Sequence, residues 1–292
     1  MKPGVESEKL VFAFQAGERP DCCVRLQRMR TLTRKLGGPI RVGIFVLAAT
    51  LFTGGCLAEP DPSKGNAASP TVLITGANRG IGLELARQYS SEGWQVIGTV
   101  RKPNQAEALR EFGAEVMQLD VTDQASVEQL AADLDDREID LLINNAGILP
   151  RMNSLAEVDF DDYNRVLAVN TVGPVRVTRA LLPNLQAGDG KTIVNVTSGL
   201  GSIAGNTSGG FYGYRESKAA LNIFTRSLAA DLGPEGFVCI VIHPGWVRTD
   251  MGGANAPVLA EDSAAGIRRV IGGLSPADNG TYWTYEGETL PW

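Results

Sequence analysis

Short runs of apolar, often β-branched residues recur along the chain from Thr71 onward, with longer mixed stretches between them. A run without polar alternation predicts a strand that is buried on both faces of a sheet. The predicted strands lie at 71–74, 95–100, 116–119, 139–143, 192–196, 237–242 and 281–284. Cys239 falls within the sixth strand, which indicates a buried thiol rather than part of a disulfide framework.

The stretches between these strands have the spacing of helices. Apolar side chains recur there every three or four residues, which places them on one helical face. The predicted helices cover 81–89, 105–112, 125–134, 163–185 and 211–232. Strands that alternate with helical crossovers predict an α/β fold, a doubly wound parallel sheet (Rossmann) of about seven strands with helices on both faces. Such sheets bind ligands in the crevice at the carboxyl ends of their strands.

The first 70 residues have a different pattern. A basic segment precedes the apolar run Val42–Thr53, whose 12 residues are too few for a membrane-spanning helix. This order is typical of a signal peptide. The following Thr53-Gly54-Gly55-Cys56 resembles the lipobox of bacterial lipoproteins, although Thr53 stands where leucine is usual. We therefore predict a leader and linker over residues 1–70, cleaved or disordered, and a lipid anchor at Cys56.

Two alternatives stay open for this leader. It is either an uncleaved anchor or upstream sequence that is not translated, and Met29 would make a more typical signal start than Met1. The predicted localisation is a membrane-anchored bacterial lipoprotein, and the alternative is the cytoplasm. Under every alternative, we predict that residues 71–292 form a single domain.

Composition excludes several classes of function. The chain has 292 residues, of which 43% are hydrophobic and 21% charged, as in an ordinary globular protein. Residues 71–292 carry 17 basic and 27 acidic side chains, so nucleic acid is not a predicted partner. His243 is the single histidine and no CxxC pair occurs, so no metal site is predicted. Any chemistry must rest on tyrosine, lysine, serine and the carboxylates.

A glycine-rich segment follows the first predicted strand and opens the first predicted helix. Its sequence from Thr75 is Thr-Gly-Ala-Asn-Arg-Gly-Ile-Gly. Glycines in this context let the backbone turn tightly and approach a pyrophosphate, whose charge is stabilised by the helix N-terminus. The candidate cofactor-binding residues here are Gly76, Asn78, Arg79, Gly80, Ile81 and Gly82.

The second predicted strand indicates which dinucleotide binds. Enzymes that use NAD usually place an acidic residue near the end of this strand, but here it ends in Thr99-Val100-Arg101-Lys102. Arg79 and Arg101 could both bind a 2′-phosphate, which NAD lacks. NADP(H) is therefore the predicted cofactor, and the alternative is that both are ordinary surface arginines.

A tyrosine and a lysine four residues apart carry the candidate chemistry. Tyr214 and Lys218 share one face of the last long predicted helix. A free tyrosine has a pKa of about 10, and a nearby ammonium favours its phenolate. The pair is therefore suited to general acid–base catalysis.

These motifs together resemble the classical short-chain dehydrogenase/reductase family. Asn170, Ser198, Tyr214 and Lys218 occur in the order of that family's catalytic tetrad, behind a glycine loop of the family's GxxxGxG spacing. The resemblance covers residues 71–292. The block from His243 to Gly253 and the Pro-Trp ending further resemble the branch of C-factor-like carbonyl reductases.

The resemblance implies a role for each tetrad residue. Tyr214 transfers a proton to or from the substrate oxygen, and Lys218 lowers the tyrosine pKa and binds the nicotinamide ribose. Ser198 hydrogen-bonds the substrate oxygen, and Asn170 holds a water that links Lys218 to solvent.

Further cofactor contacts are implied on three other segments. Asp120 and Val121 would lie at the adenine, and Asn145, Ala146 and Gly147 would support the sheet beside the adenosine. Pro244, Gly245, Val247 and Thr249 would lie near the nicotinamide.

The predicted function is an NADP(H)-dependent oxidoreductase that transfers a hydride between nicotinamide and a small carbonyl or alcohol substrate. The alternative is a non-catalytic NADP(H)-binding sensor or signalling protein with the same fold. Members of the family usually associate through two long helices, so a homodimer or homotetramer is also expected.

Overall fold

The computed structural model describes residues 69–292, and the predictions about the leader and Cys56 lie outside them. Seven parallel strands form one sheet in the order β3-β2-β1-β4-β5-β6-β7. They are β1 (Thr71–Thr75), β2 (Gln95–Val100), β3 (Glu115–Gln118), β4 (Leu141–Asn144), β5 (Thr192–Val196), β6 (Val238–His243) and β7 (Tyr282–Thr284). The predicted doubly wound sheet is confirmed.

Helices cover both faces of this sheet. They are α1 (Gly80–Ser91), α2 (Glu107–Glu111), α3 (Gln124–Leu134), α4 (Phe160–Leu167), α5 (Gly173–Ala180), α6 (Leu182–Ala187), α7 (Tyr214–Leu232) and α8 (Ala260–Gly272). Within residues 69–292, no helix combines the length and the apolarity that crossing a bilayer requires.

Alternating strand residues divide the interior into two cores. Val72 and Ile74 face the core that includes α1 and α8, whereas Leu73 faces the core that includes α3 and α5. Cys239 is fully buried in the second core, and burial raises the pKa of its thiol to about 12. Both faces are apolar, which explains why the strand sequences do not alternate.

The long helical stretch predicted over about 163–185 is present but divided into shorter helices. The chain forms α4, then a π-helical segment over Ala168–Val172, then α5 and α6. Proline stands in the first turn of both α5 and α6, where its missing amide donor is tolerated. The π-helical segment contains Asn170, so the interruption falls at a predicted site residue.

Two further predictions need correction. The helix expected from Phe211 begins at Tyr214, because Phe211 and Gly213 have positive φ angles of 54° and 76°. Helix α8 was not predicted, although it packs against α1 and has an amphipathic sequence. Its small residues explain why the apolar spacing is weak: Gly266 lies so close to Tyr285 that an added Cβ would meet the Tyr285 carbonyl oxygen.

Candidate active site

Four connections at the carboxyl ends of the strands carry the candidate residues. The glycine loop follows β1, the Asn-Ala-Gly segment follows β4, Ser198 follows β5 and the Pro-Gly segment follows β6. Strands β1, β4, β5 and β6 are consecutive neighbours in the sheet, so these connections meet at one edge. This edge contains the crevice where a doubly wound sheet binds its ligand.

The glycine loop is packed too closely for larger side chains. Gly76 has a φ of 66°, and a Cβ added there would lie 3.0 Å from the Ala146 Cα. A Cβ on Gly82 would lie 2.5 Å from the Asn145 side-chain nitrogen, and a Cβ on Gly80 would lie 3.1 Å from Thr249 Cγ2. The loop is therefore held between the segments that follow β4 and β6, with its backbone at the start of α1.

Asn145 and Ala146 hold the glycine loop through hydrogen bonds. Their backbone amides both donate to Thr75 Oγ1 at 3.0 Å. The Asn145 side chain donates to the carbonyl oxygens of Thr75 and Gly76 at 3.0 and 3.1 Å. These contacts agree with the predicted support of the sheet, and they stabilise the conformation of the loop that the cofactor would meet.

The predicted phosphate-selecting arginines lie at the solvent-exposed side of the crevice. Arg79 Nη1 forms an ion pair with Asp250 Oδ2 at 2.7 Å, and these side chains are 66% and 77% exposed. Arg101 is also exposed. Burial raises the pKa of Asp120, but hydrogen bonds from Thr122 and the charge of Arg101 outweigh it and leave that pKa below its usual value. Arg101 therefore lies close enough to Asp120 to lower the pKa of its carboxyl group.

Tyr214 and Lys218 come together as predicted, in a buried setting. Tyr214 is 7% exposed and Lys218 is 4% exposed. Lys218 Nζ lies 5.9 Å from the centre of the Tyr214 ring and donates a hydrogen bond to the Val196 carbonyl at 2.8 Å. Burial lowers the pKa of Lys218 to about 8. The ammonium is therefore held beside the phenol without a carboxylate partner among the described residues.

Ser198 lies within reach of the tyrosine. Burial raises the pKa of the Tyr214 phenol, and a hydrogen bond with the Ser198 side chain opposes this shift. Ser198 Oγ also accepts a hydrogen bond from the Leu200 amide at 3.2 Å. A serine hydroxyl next to a phenol can hydrogen-bond the same substrate oxygen.

Asn170 is fully buried beneath this pair. Its Oδ1 accepts from the Ile148 amide at 2.9 Å, and its Nδ2 donates to the Ile148 carbonyl at 3.0 Å and to Ser217 Oγ at 3.1 Å. A Cβ added at Gly147 would lie 3.4 Å from Asn170 Oδ1 and 3.7 Å from Lys218 Nζ. The structure therefore places Asn170 beside Lys218, and the water predicted between them and solvent stays a prediction.

The segment after β6 approaches from the other side. Gly245 adopts a φ of 86°, and Thr249 Oγ1 accepts from the Gly252 amide at 3.2 Å and donates to the Val247 carbonyl at 3.3 Å. His243, at the end of β6, is half-buried, and its Nδ1 has no hydrogen-bond partner within residues 69–292. Burial lowers the pKa of His243, while Glu286 opposes the shift.

Sequence reasoning missed several residues that surround the tetrad. Asn222 accepts from Thr197 Oγ1 at 2.7 Å and donates to the Gly201 carbonyl at 3.1 Å. Tyr282 donates to the Ser198 carbonyl at 2.5 Å. The position of Asn222 one helical turn after Lys218 was a usable signal, whereas the contact of Tyr282 spans 84 positions and leaves no local pattern.

Comparisons with known proteins place this chain in a family. A family model for the short chain dehydrogenases matches residues 70–258. The C-signal protein of Myxococcus xanthus is 50% identical over 154 residues, which are 53% of this chain and 93% of that protein. The carbonyl reductase Sniffer of D. melanogaster superposes with a TM-score of 0.72 at 35% identity, over 77% of this chain and 100% of its own.

An NADPH-bound carbonyl reductase from chicken fatty liver gives a TM-score of 0.71 at 33% identity, over 77% of this chain and 100% of its own. Since the family model spans well over half of the chain, the protein belongs to the short-chain dehydrogenase family of oxidoreductases. The resemblance that the sequence motifs indicated is confirmed, and the structural neighbours include carbonyl reductases.

Proposed function

We propose that this protein is an NADP(H)-dependent oxidoreductase that interconverts a carbonyl and an alcohol, with Tyr214 as the general acid or base. The observation that carries this proposal is the meeting of Tyr214, Ser198 and Lys218 at the sheet edge that also presents the glycine loop. The carbonyl reductases among the structural neighbours, one of them NADPH-bound, support the same reaction class.

The residues present fit a dinucleotide phosphate. Glycine is required at Gly76 and Gly82 because a Cβ there would collide with neighbouring atoms of the segment after β4 and of the loop itself. The backbone amides at the start of α1 would bind the pyrophosphate. Arg79 and Arg101 are exposed cations at the position that would receive a 2′-phosphate. Lys218 and the segment from Pro244 to Thr249 would hold the nicotinamide end. Bound NADP(H) supplies or accepts the hydride.

Side chains of this protein would transfer the proton. In the direction of reduction, the Tyr214 hydroxyl donates its proton to the substrate oxygen while the Ser198 hydroxyl hydrogen-bonds that oxygen. The Lys218 ammonium stabilises the phenolate that remains. Since burial alone raises the pKa of the phenol, this nearby positive charge is needed to make proton release favourable.

The mouth of the crevice supports an apolar substrate. Ile203 is 76% exposed, Trp246 57% and Met251 37%. Large exposed apolar side chains around a candidate site are typical of a binding surface. We infer that the substrate is a small aldehyde, ketone or quinone with an apolar body.

The test is Tyr214→Phe, assayed with NADPH on a panel of apolar aldehydes, ketones and quinones. We expect kcat to fall by about a thousandfold or more because the proton donor is lost, with NADPH affinity within a few fold of wild type. Tyr212→Phe is the matched control, since that tyrosine lies in the loop before α7. A wild-type protein that binds NADPH but reduces none of the panel would overturn the proposal.

The name of one relative favours a second candidate function. The relative with 50% identity is named C-signal, so the second candidate is a signalling protein, which we propose would bind NADP(H) without turnover. This candidate predicts that wild type and Tyr214→Phe are equally inactive on the panel while both bind NADPH. The two candidates are thus separated by the same experiment.

We also propose that the protein assembles through α4, α5 and α7. Phe160 and Ile223 are 73% and 65% exposed on these helices. Covering these exposed apolar side chains with a second copy would remove them from water, and sedimentation should then give a dimer or tetramer.

A further inference from the structure

The chain after β7 returns to the crevice. The Thr284 amide donates to the Glu288 carbonyl and the Leu290 amide donates to the Tyr282 carbonyl, both at 2.7 Å. Trp283 and Thr289 form an antiparallel bridge between the two arms. This short hairpin turns residues 288–292 back along β7 and brings Trp292 next to the connection that follows β5.

Tyr282 on this hairpin reaches the backbone of the candidate catalytic serine. The Tyr282 side chain is 2% exposed, and its hydroxyl donates to the Ser198 carbonyl at 2.5 Å. The same carbonyl accepts the Gly201 amide at 2.8 Å. Asn222 on α7 is hydrogen-bonded to Thr197 and Gly201. The backbone on both sides of Ser198 is therefore fixed from β7 and α7.

Trp292 holds the next part of the same connection. Its backbone oxygen accepts from the amides of Ile203 and Ala204, at 2.5 and 3.2 Å. Ser202 Oγ donates to the Pro291 carbonyl at 2.7 Å. The Trp292 ring lies 5.3 Å from the Tyr282 ring, so the two holding points also contact each other.

Arg226 on α7 completes this packing. Its guanidinium lies over the Trp292 ring, 5.6 Å from the ring centre, and its Nη1 donates to the Gly280 carbonyl at 2.8 Å. The hairpin is therefore attached to α7, the helix that begins with Tyr214 and carries Lys218. Ser198 and Tyr214 are thereby held against one common support.

We propose that Tyr282 and Trp292 are positioning residues: Tyr282 sets the backbone of Ser198 opposite Tyr214, and Trp292 sets the apolar segment Ser202–Ala204 at the substrate side of the crevice. This inference rests on the proposed function for its effect on turnover. A hydroxyl that must meet a substrate oxygen loses effectiveness when its backbone shifts by a fraction of an ångström. The hairpin fixes the position of the Ser198 backbone without contacting the substrate.

The kinetic test removes the hydroxyl oxygen of Tyr282. We expect Tyr282→Phe to lower kcat about tenfold, with KM for NADPH unchanged. In a Ser198→Ala background the same change should have no further effect, because its only route to the reaction is through Ser198. Tyr285→Phe is the matched control, since within residues 69–292 that hydroxyl hydrogen-bonds only the exposed Glu286. An unchanged kcat, or a loss that persists without the Ser198 hydroxyl, would refute the role of Tyr282.

A second measurement does not depend on turnover. Amide hydrogen exchange over residues 199–204 should become at least tenfold faster in Trp292→Ala and Ser202→Ala, with exchange in β1 and β4 unchanged. Ser202→Ala covers the case in which loss of the Trp292 ring prevents folding. Unchanged exchange over 199–204 in Ser202→Ala, and in Trp292→Ala if it folds, would refute the role of Trp292. If wild type proves inactive on every carbonyl, the proposed function fails, and exchange over 199–204, measured also in Tyr282→Phe, decides this inference.

Discussion

The two sides of the crevice place their charged groups in opposite environments. At the cofactor side, Arg79 and Asp250 form an ion pair in which both side chains are more than half exposed. At the catalytic side, Lys218 is almost fully buried and bonds a backbone carbonyl instead of a carboxylate. The exposed pair is screened by water and salt, whereas the buried ammonium is not.

This difference indicates on which side of the crevice contacts can change with little loss of folding free energy. Exposed ion pairs contribute about 0–1 kcal/mol to folding, so Arg79 and Asp250 can exchange partners when a phosphate arrives. The charge of a buried group depends on the atoms packed around it, and its pKa changes when those atoms change. We therefore expect substitutions on the cofactor side to alter affinity and those on the catalytic side to alter turnover or stability.

The largest effect is expected at Lys218. Lys218→Met keeps the length of the side chain and removes the charge, so kcat for carbonyl reduction should fall about a thousandfold. In wild type, the lowered pKa of about 8 means that the ammonium is lost as pH rises above 8. Reduction by wild type should therefore decline above about pH 8, which a profile of kcat against pH would measure.

Lys191→Met is the control for this substitution, because Lys191 lies at the opposite end of β5 and bonds the Glu235 carbonyl. It should retain the wild-type profile. A Lys218→Met protein with wild-type kcat would show that the buried charge is not needed for proton transfer.

A smaller effect is expected at Asn170, which tests whether the buried side also maintains the fold. Asn170→Ala removes partners from both backbone polar groups of Ile148 and from Ser217. The free energy of unfolding should decrease by about 2–3 kcal/mol, measured by urea denaturation. Asn104→Ala, at an exposed position after β2, should change it by less than about 0.5 kcal/mol. Equal effects of the two changes would contradict this role of the amide.

The smallest effects are expected on the exposed side. Arg79→Ala should weaken NADPH binding by about tenfold and leave NADH binding unchanged, because a charge-assisted hydrogen bond to the 2′-phosphate is lost. Asp250→Asn frees Arg79 and should tighten NADPH binding two- to threefold at low salt, by rough estimate. Titration of both dinucleotides by fluorescence would measure these changes.

Arg165→Ala makes the same change in net charge at an exposed position of α4 and serves as the control. NADPH and NADH weakened equally by Arg79→Ala would show that this arginine does not select the phosphate.

The sequence contained most of the fold and the identity of the candidate tetrad. Buried strands are continuous apolar runs, and Tyr214 and Lys218 share a helix, so local spacing was sufficient for both. The interruption around Asn170 was not predicted, because no proline or glycine pattern before Gly173 marks it; Gly173 itself packs against Val121, where an added Cβ would lie 2.8 Å from a methyl carbon. Helix α8 was missed because small residues pack closely where the pattern expects large ones.

Contacts between residues that are far apart in the sequence could not be predicted from local patterns. Arg79 and Asp250 are 171 positions apart, and Tyr282 and Ser198 are 84 apart. Each of these residues, taken alone, is of a type that is common at a protein surface or in a strand. Arg79 and Arg101 are both exposed, and their selection of a 2′-phosphate stays a prediction; the acidic partner of Arg79 becomes visible only in the folded chain.

The strand order also bears on how the chain is made. Strand β1 lies between β2 and β4, yet β4 begins 70 residues after β1. At a synthesis rate of about 5–20 residues per second, one edge of β1 waits several seconds on the ribosome for its neighbour. During that interval an apolar strand presents unpaired amides and carbonyls to other nascent chains. Chaperone binding early in translation would protect that edge until β4 emerges.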